Sequence, residues 1–161
     1  MTKEYNLEEL KKNYEKLRQK HNLPNFKEMN EEFEIEKLQD TETETLSRGI
    51  RRVIIEKNTA YLRFVEIFLN PSQAPMFFLA LIKSLETNDR KLLENLYLKL
   101  GKFEIESLAL DTFYDEKKDA DFIKRFFNEW KEVKVEIEKV MKAIRISWEK
   151  KSERKEKGYL G

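Results

Sequence analysis

The most regular hydrophobic pattern in the chain lies towards its end. Asp115 can cap a helix there, because its carboxylate can accept from the free backbone amides of a first turn. Near-heptad spacing of this kind is typical of a long bundle helix or a coiled-coil seam. Ile123, Phe127 and Met141 widen the apolar face, which favours a bundle core. The apolar positions step by three or four and are Phe122, Phe126, Trp130, Val133, Ile137, Val140, Ile144 and Trp148.

Two helices are predicted at the start of the chain. Asn6 can cap a first helix over residues 7–20, and Asn22 in "HNLP" tolerates the left-handed conformation that ends a helix before Pro24. Asn25 can cap a second, short helix that carries Phe26, Met29 and Phe33 on one face. The apolar positions of the first helix are Leu7, Leu10, Tyr14 and Leu17.

A long third helix is predicted next. Thr41 and Glu44 have the spacing of a capping box, in which a hydroxyl and a carboxylate satisfy backbone amides at a helix start. A wide apolar stripe follows and ends at the "NP" of residues 70 and 71. The stripe comprises Leu46, Ile50, Val53, Ile54, Tyr61, Phe64, Val65 and Phe68, with Asn58 on it or at its edge.

The stretch "LNPSQAPMFFLALI", residues 69–82, is the most apolar in the chain. A membrane-spanning helix needs about 20 mostly apolar residues, and polar residues and prolines interrupt this run too early. We therefore interpret "NPSQAP" as the corner of a helical hairpin. Ser72 is the expected N-cap, Pro75 falls in the first turn, and the helix is expected to reach about Glu86. "MFFLALI" is then expected to be the most deeply buried helix.

The following segment is less regular. Thr87 and Asp89 begin a helix that we expect Gly101 to end. "FEIEKL" at 33–38 and "FEIESL" at 103–108 nearly repeat each other. The local alternation of these two segments is compatible with a two-stranded pairing, and a chance match in a glutamate-rich chain is the competing interpretation.

These patterns predict an all-α protein. We expect one helical-bundle domain of five to six helices over residues 1–157 and a short flexible tail over 158–161. Few glycines and prolines and an unusually high share of charged residues agree with this. The absence of cysteine and of an apolar N-terminal leader favours a cytoplasmic location.

Catalytic chemistry is poorly represented. The single histidine, His21, lies near the end of the first helix, where we expect it to complement the helix dipole. Four glycines, at 49, 101, 158 and 161, cannot form a phosphate-binding loop. The chain is therefore predicted to be no enzyme and to have no catalytic, cofactor-binding or metal-binding residues and no cofactor. Asn58 is interpreted as an amide that sets helix register or contacts a partner, or as the edge of the stripe.

Charge is distributed unevenly, although 32 basic and 31 acidic side chains nearly cancel. Residues 28–44 hold eight acids and one base, a net charge of −7, and residues 139–157 hold eight bases and three acids, a net charge of +5. The two segments can pair with each other or across a dimer, or the basic end can contact RNA phosphates. A solvated helix end is the plainer interpretation. The candidate partner or phosphate contacts are Arg48, Arg51, Arg52, Lys150, Lys151, Arg154 and Lys155.

Two segments, "NLPNFKEMNEEFEIE" and "DADFIKRFFNEWKEVK", resemble uncharacterised small helical proteins of archaea. The resemblance implies no activity. From the residues we predict a non-enzymatic protein that binds another protein or itself, as a homodimer, with Trp148 and Ile144 as candidate self-association residues. The alternative is an RNA- or ribosome-associated factor that uses the basic C-terminal helix end. No membrane partner is expected.

Overall fold

The computed structural model describes residues 2–40 and 45–159, and side chains within 6–39 and 45–155 and at 158. Six α-helices follow one another, and the described residues contain no strand. The helices are α1 (Thr2–His21), α2 (Phe26–Phe33), α3 (Leu46–Leu69), α4 (Met76–Ile82), α5 (Thr87–Asp111) and α6 (Glu116–Tyr159). Short 3-10 helices cover Ile35–Asp40 and Pro71–Gln73. The all-α prediction and the long C-terminal helix are confirmed.

The described chain divides into two compact units. The first unit runs to Thr59 and includes Lys102–Glu129, and the second unit comprises Ala60–Gly101 and the chain from Trp130 onward. The single domain expected for residues 1–157 stays a prediction.

The core of the first unit is rich in aromatic side chains. Phe103 lies edge-on to Phe122 and Phe126, with ring centroids 5.9 and 4.5 Å apart, and Phe33 reaches Phe126 at 5.8 Å. Such edge-to-face pairs add to the stabilisation that burial provides. Tyr14 is fully buried, and its hydroxyl donates to the backbone oxygen of Pro24 at 2.7 Å. Burial raises the pKa of its phenol, so Tyr14 keeps its proton.

The core of the second unit is mainly aliphatic. Leu93, Leu96 and Leu100 of α5 are buried at helical spacing, as are Trp130, Val133, Val140 and Ile144 of α6. Trp130 also packs against Tyr61 of α3, with ring centroids 5.8 Å apart. The hydrophobic stripe that predicted α6 is thus the buried face of this helix, apart from half-buried Ile137 and exposed Trp148 at its end.

Capping residues explain where two helices begin. The Asn25 side chain accepts from the Glu28 amide at 2.8 Å, while Glu28 accepts from the Asn25 amide at 3.3 Å, which completes a capping box. Asp115 accepts from the Lys118 amide at 3.0 Å ahead of α6, as predicted. Asn22 has a positive φ of 54° beyond α1, also as predicted. The box at Thr41 and Glu44 lies outside the described residues.

The two-stranded pairing considered possible for 33–38 and 103–108 does not occur, which leaves the chance match. Residues 35–38 lie in a 3-10 helix, and 103–108 lie inside α5, where Leu100, Phe103 and Ser107 are buried at helical spacing. The expectation that Gly101 ends a helix is also wrong, since α5 continues through it to Asp111. Helical burial on both sides of Gly101 outweighs the weak helix propensity of one glycine.

The apolar helix α4 departs most from expectation. Ser72 does not cap it, because its hydroxyl donates to the Asn70 side chain at 2.9 Å and Pro75 occupies the N-cap position. The helix ends at Ile82 rather than near Glu86. Only Leu81 and Ile82 are buried, whereas Met76 and Phe77 are 86% and 53% exposed. The helix predicted to be the most buried therefore presents an apolar surface.

The C-terminal segment is helical further than expected. Gly158 and Tyr159, which we expected in a flexible tail, are the last described residues of α6. Lysine, glutamate and arginine have high helix propensity, so α6 continues beyond its last buried side chains. The remaining two residues lie outside the described part of the chain.

Candidate interaction surfaces

Three groups of polar or exposed side chains are candidate functional sites. The first surrounds Arg51, the central arginine of the predicted basic cluster on α3. Arg51 is fully buried in the first unit. Its Nε donates to Asp119 Oδ1 at 2.7 Å, its Nη2 to Asp111 Oδ1 at 2.6 Å, and its Nη1 to the Ser107 backbone oxygen at 2.9 Å. The Ser107 hydroxyl also contacts Nη1.

This arrangement removes Arg51 from the candidate phosphate contacts. Its donors are directed at α5 and α6, and its buried position offers no surface to a partner. A guanidinium group holds two carboxylates well because its donors form a rigid planar fork. The cluster therefore ties α3, α5 and α6 together within the first unit.

The neighbouring arginines occupy the rim of the cluster. Arg52 is largely exposed and lies 3.5 Å from Asp111. The Arg48 guanidinium stands 5.2 Å from the centroid of the Tyr114 ring, and the Tyr114 hydroxyl lies 3.2 Å from Ser47 Oγ. Arg52 thus stays accessible to a partner, whereas Arg48 is half-buried beside Tyr114.

Asp111 has a shifted acidity. Burial alone would raise the pKa of its carboxyl group, but the hydrogen bond and charge of Arg51, with a smaller contribution from Arg52, outweigh burial and lower it. Asp111 therefore carries its negative charge to a lower pH than an ordinary aspartate. This supports a structural ion pair, since both Arg51 and Arg52 contact the Asp111 carboxylate.

His21 contacts a second ion pair of the first unit, the one between Lys20 and Glu116. Its Nε2 lies 2.8 Å from Glu116 Oε1, and Lys20 Nζ lies 2.7 Å from the same oxygen. The pKa of Glu116 is lowered, mainly by the hydrogen bond from His21 and next by the hydrogen bond from Lys20. The hydrogen bond to Glu116 in turn raises the pKa of Lys20. His21 thus fastens the end of α1 to the start of α6.

Asn58 also has an internal role. It is fully buried, and its Nδ2 donates to Glu104 Oε1 of α5 at 3.0 Å. Thr59 contacts the same carboxylate oxygen and donates to the Ile55 backbone oxygen at 2.8 Å. Of the two interpretations, the amide that sets register between helices fits these contacts.

The second group is a basic groove in the second unit, with a volume of about 620 Å³. Lys150, Lys151 and Arg154 line it from α6, as do Lys83 and Ser84 from the end of α4. Lys155, the last predicted contact, is exposed but does not line the groove. Lys83 was not predicted, because a single lysine after an apolar run carries no periodic signal.

The third group is an apolar shelf, also in the second unit, formed around Trp148. Trp148 is 46% exposed and packs on Phe77 of α4, with ring centroids 5.1 Å apart. Met141 and Val135 add exposed apolar surface, and charged residues such as Lys142 and Arg145 surround it. Ile144 lines the shelf but is itself buried. Of the two predicted self-association residues, Trp148 alone is presented to a partner.

No protein-family model matches the chain, and neither a curated protein nor a solved structure matches it. The resemblance to archaeal helical proteins stays a prediction. In residues 2–40 and 45–159, no helix combines the length and the apolar character needed to cross a membrane.

Proposed function

We propose that this chain is a non-enzymatic helical protein that acts by binding another protein at the apolar shelf of the second unit. The observation that carries the proposal is the cluster of exposed Phe77, Val135, Met141 and Trp148 side chains that line the shelf. Large exposed apolar groups with a polar rim are characteristic of protein-binding surfaces, where aromatic residues and methionine are enriched.

Self-association is the first form of this proposal. Shelf residues of α6 carry both charge signs, among them Glu138, Lys142, Arg145 and Glu149. A surface with both signs can pair with a second copy of itself, provided that the register places opposite charges together. A cytoplasmic location belongs to the same proposal and is supported by the absence of cysteine.

The test measures mass in solution by size-exclusion chromatography with light scattering. We expect wild-type protein at micromolar concentration to be dimeric and Trp148→Glu to be monomeric, because a charge at the centre of the shelf opposes its burial. Leu108→Glu is the matched control, since Leu108 is a 68% exposed apolar residue of α5 in the first unit. A monomeric wild type, or equal dissociation of both variants, contradicts self-association at the shelf.

A different protein partner needs its own test. A photo-crosslinking amino acid at position 148, compared with one at 108, should capture a defined host protein from position 148 only. Equal capture at both positions, or at neither, would count against the shelf as a binding surface.

The alternative proposal is an RNA- or ribosome-associated factor. Lys150, Lys151 and Arg154 support it because they line one groove. The burial of Arg51 removes one of the seven predicted contacts. The protein-binding proposal is therefore the better supported of the two.

A further inference from the structure

The basic groove has the size and construction of a ligand site. It lies between the end of α4, the turn that leads into α5, and one face of α6. Its volume of about 620 Å³ falls among those of small-molecule sites, about 300–1,000 Å³. Ala80, Ala143 and Ile146 contribute apolar lining, and Ser84 and Ser147 contribute hydroxyl groups.

Four cationic side chains converge on this groove from two helices. Ser147, Lys150, Lys151 and Arg154 follow the i, i+3, i+4, i+7 pattern of one helix face. Between Lys150 and Arg154 the helix rises about 6 Å. Lys83, at the C-cap of α4, adds a cation from outside that helix. If the basic residues were only the solvated end of α6, no cation from another helix would be expected beside them.

These cations have no ion-pair partner in the described part of the chain, and they outnumber the two carboxylates, Glu86 and Asp89, that line the same groove. None of Lys83, Lys150, Lys151 and Arg154 forms an ion pair there, whereas Arg145 of the same helix pairs with Glu149 at 3.6 Å. Like charges held on one concave surface repel each other and favour an anionic ligand. Arginine and lysine are the residues that proteins use for phosphate groups.

Two carboxylates restrict the shape of such a ligand. Glu86 and Asp89 line the groove as well, and Asp89 Oδ2 accepts from the Glu86 amide at 3.1 Å. A long polyanion that continued past these carboxylates would be repelled by them. None of the groove-lining residues is aromatic, so the stacking platform that single-stranded nucleic acids use is missing from this lining.

We propose that this groove binds a compact ligand with two or three linked phosphate groups, held by Lys83, Lys150, Lys151 and Arg154. This site goes beyond the protein-binding function and lies on residues other than Phe77, Met141 and Trp148, so either can fail alone. Lys83 is the residue on which the test depends, because it lies outside α6. A loss of affinity on its substitution distinguishes a site built from α4 and α6 from the charged end of α6 alone.

Isothermal titration of the full chain with inorganic tripolyphosphate at low ionic strength tests the proposal. We expect Lys83→Gln and Arg154→Gln each to weaken binding by about tenfold, the equivalent of one charge-assisted contact. Lys83→Arg, which keeps the charge, should bind within about threefold of wild type. Lys139→Gln and Lys142→Gln are matched controls on α6, since both residues line the apolar shelf, and should leave the affinity unchanged.

Several results would overturn the proposal. An unchanged affinity in Lys83→Gln would mean that the cations are only the solvated end of α6. Equal losses of affinity in the control variants would mean that the ligand is attracted by diffuse charge rather than by a site. Equally tight binding of single inorganic phosphate would remove the requirement for linked phosphates. Tighter binding of a single-stranded RNA of about 12 nucleotides, at equal phosphate concentration, would assign the groove to RNA. Circular dichroism of each variant establishes that these exposed substitutions leave the helices intact.

Discussion

Arg51 is the side chain whose environment differs most from that of a surface cation. Its burial removes a guanidinium group from water, which costs several kcal/mol before any partner is counted. Two carboxylates and Ser107 compensate that cost through hydrogen bonds of good length. We therefore expect this cluster to contribute more to the fixed arrangement of α3, α5 and α6 in the first unit than to net stability.

Removing one partner of this pair should be severe. Asp119→Ala leaves the buried Arg51 without its Nε acceptor, and we expect a loss of about 3–5 kcal/mol in the free energy of unfolding. Arg52→Ala is the control, because the Arg52 side chain is 59% exposed and should cost less than about 1 kcal/mol. Urea unfolding followed by circular dichroism measures both. Similar small losses in the two variants would show that the buried pair does not hold the first unit together.

The sequence could not reveal this role of Arg51. Arg48, Arg51 and Arg52 resemble an ordinary basic patch on a helix, and the Ser107 and Asp119 partners of Arg51 lie 56 and 68 residues further along the chain. Hydrophobic periodicity reports which face is apolar and carries no information on which polar residue is buried with a distant partner. Lys83 was missed for a different reason: it is a single exposed lysine after an apolar run and carries no periodic signal.

At the scale of helices, local signals predicted what local interactions determine. Asn25 and Asp115 begin helices as predicted, because a capping side chain bonds to an amide three residues away. The depth of α4 was mispredicted, since a run such as "MFFLALI" shows that side chains are apolar but not how many neighbours cover them. Five of its seven residues escape full burial.

Gly101 gives a direct test of the continuous α5 helix. An added Cβ at Gly101 would meet no atom within 4 Å, and the residue lies well inside α5. Gly101→Ala should therefore stabilise the protein by about 0.5–1 kcal/mol in urea unfolding. Gly158→Ala is the matched control, because its Cβ also has free space but it lies at the end of α6, where a gain of helix propensity counts little. A loss of stability in Gly101→Ala would indicate that the helix stops there.

For the whole molecule, the sequence predicted the fold class well and the surfaces partly. The helical spacing of apolar residues over α1, α3 and α6 was enough to predict an all-α protein, since each helix must bury one apolar face. The asymmetry of charge along the chain places a basic segment at the end of α6, and its use as a contact surface stays a prediction. The basic groove was not predicted. Lys150, Lys151 and Arg154 line it together with Lys83 because of the position of α4, which only the structure shows.

The stability of the whole protein in acid depends on carboxylates that the folded state holds as anions below their ordinary pKa. Asp111 is such a group, because Arg51 and Arg52 lower its pKa in spite of burial. A lowered folded-state pKa stabilises the native protein above the ordinary aspartate pKa, and this contribution is lost as the pH falls through the folded value. Asp111→Asn should thus be less stable than wild type at pH 7, with a difference that shrinks as the pH falls below about 4. Urea unfolding across this pH range measures the difference in stability.

The control is Glu132→Gln, which changes an exposed carboxylate of α6 and should differ little from wild type at pH 7 or below about pH 4. A difference between Asp111→Asn and wild type that stayed constant with pH would mean that Asp111 stabilises the first unit by shape rather than by its charge.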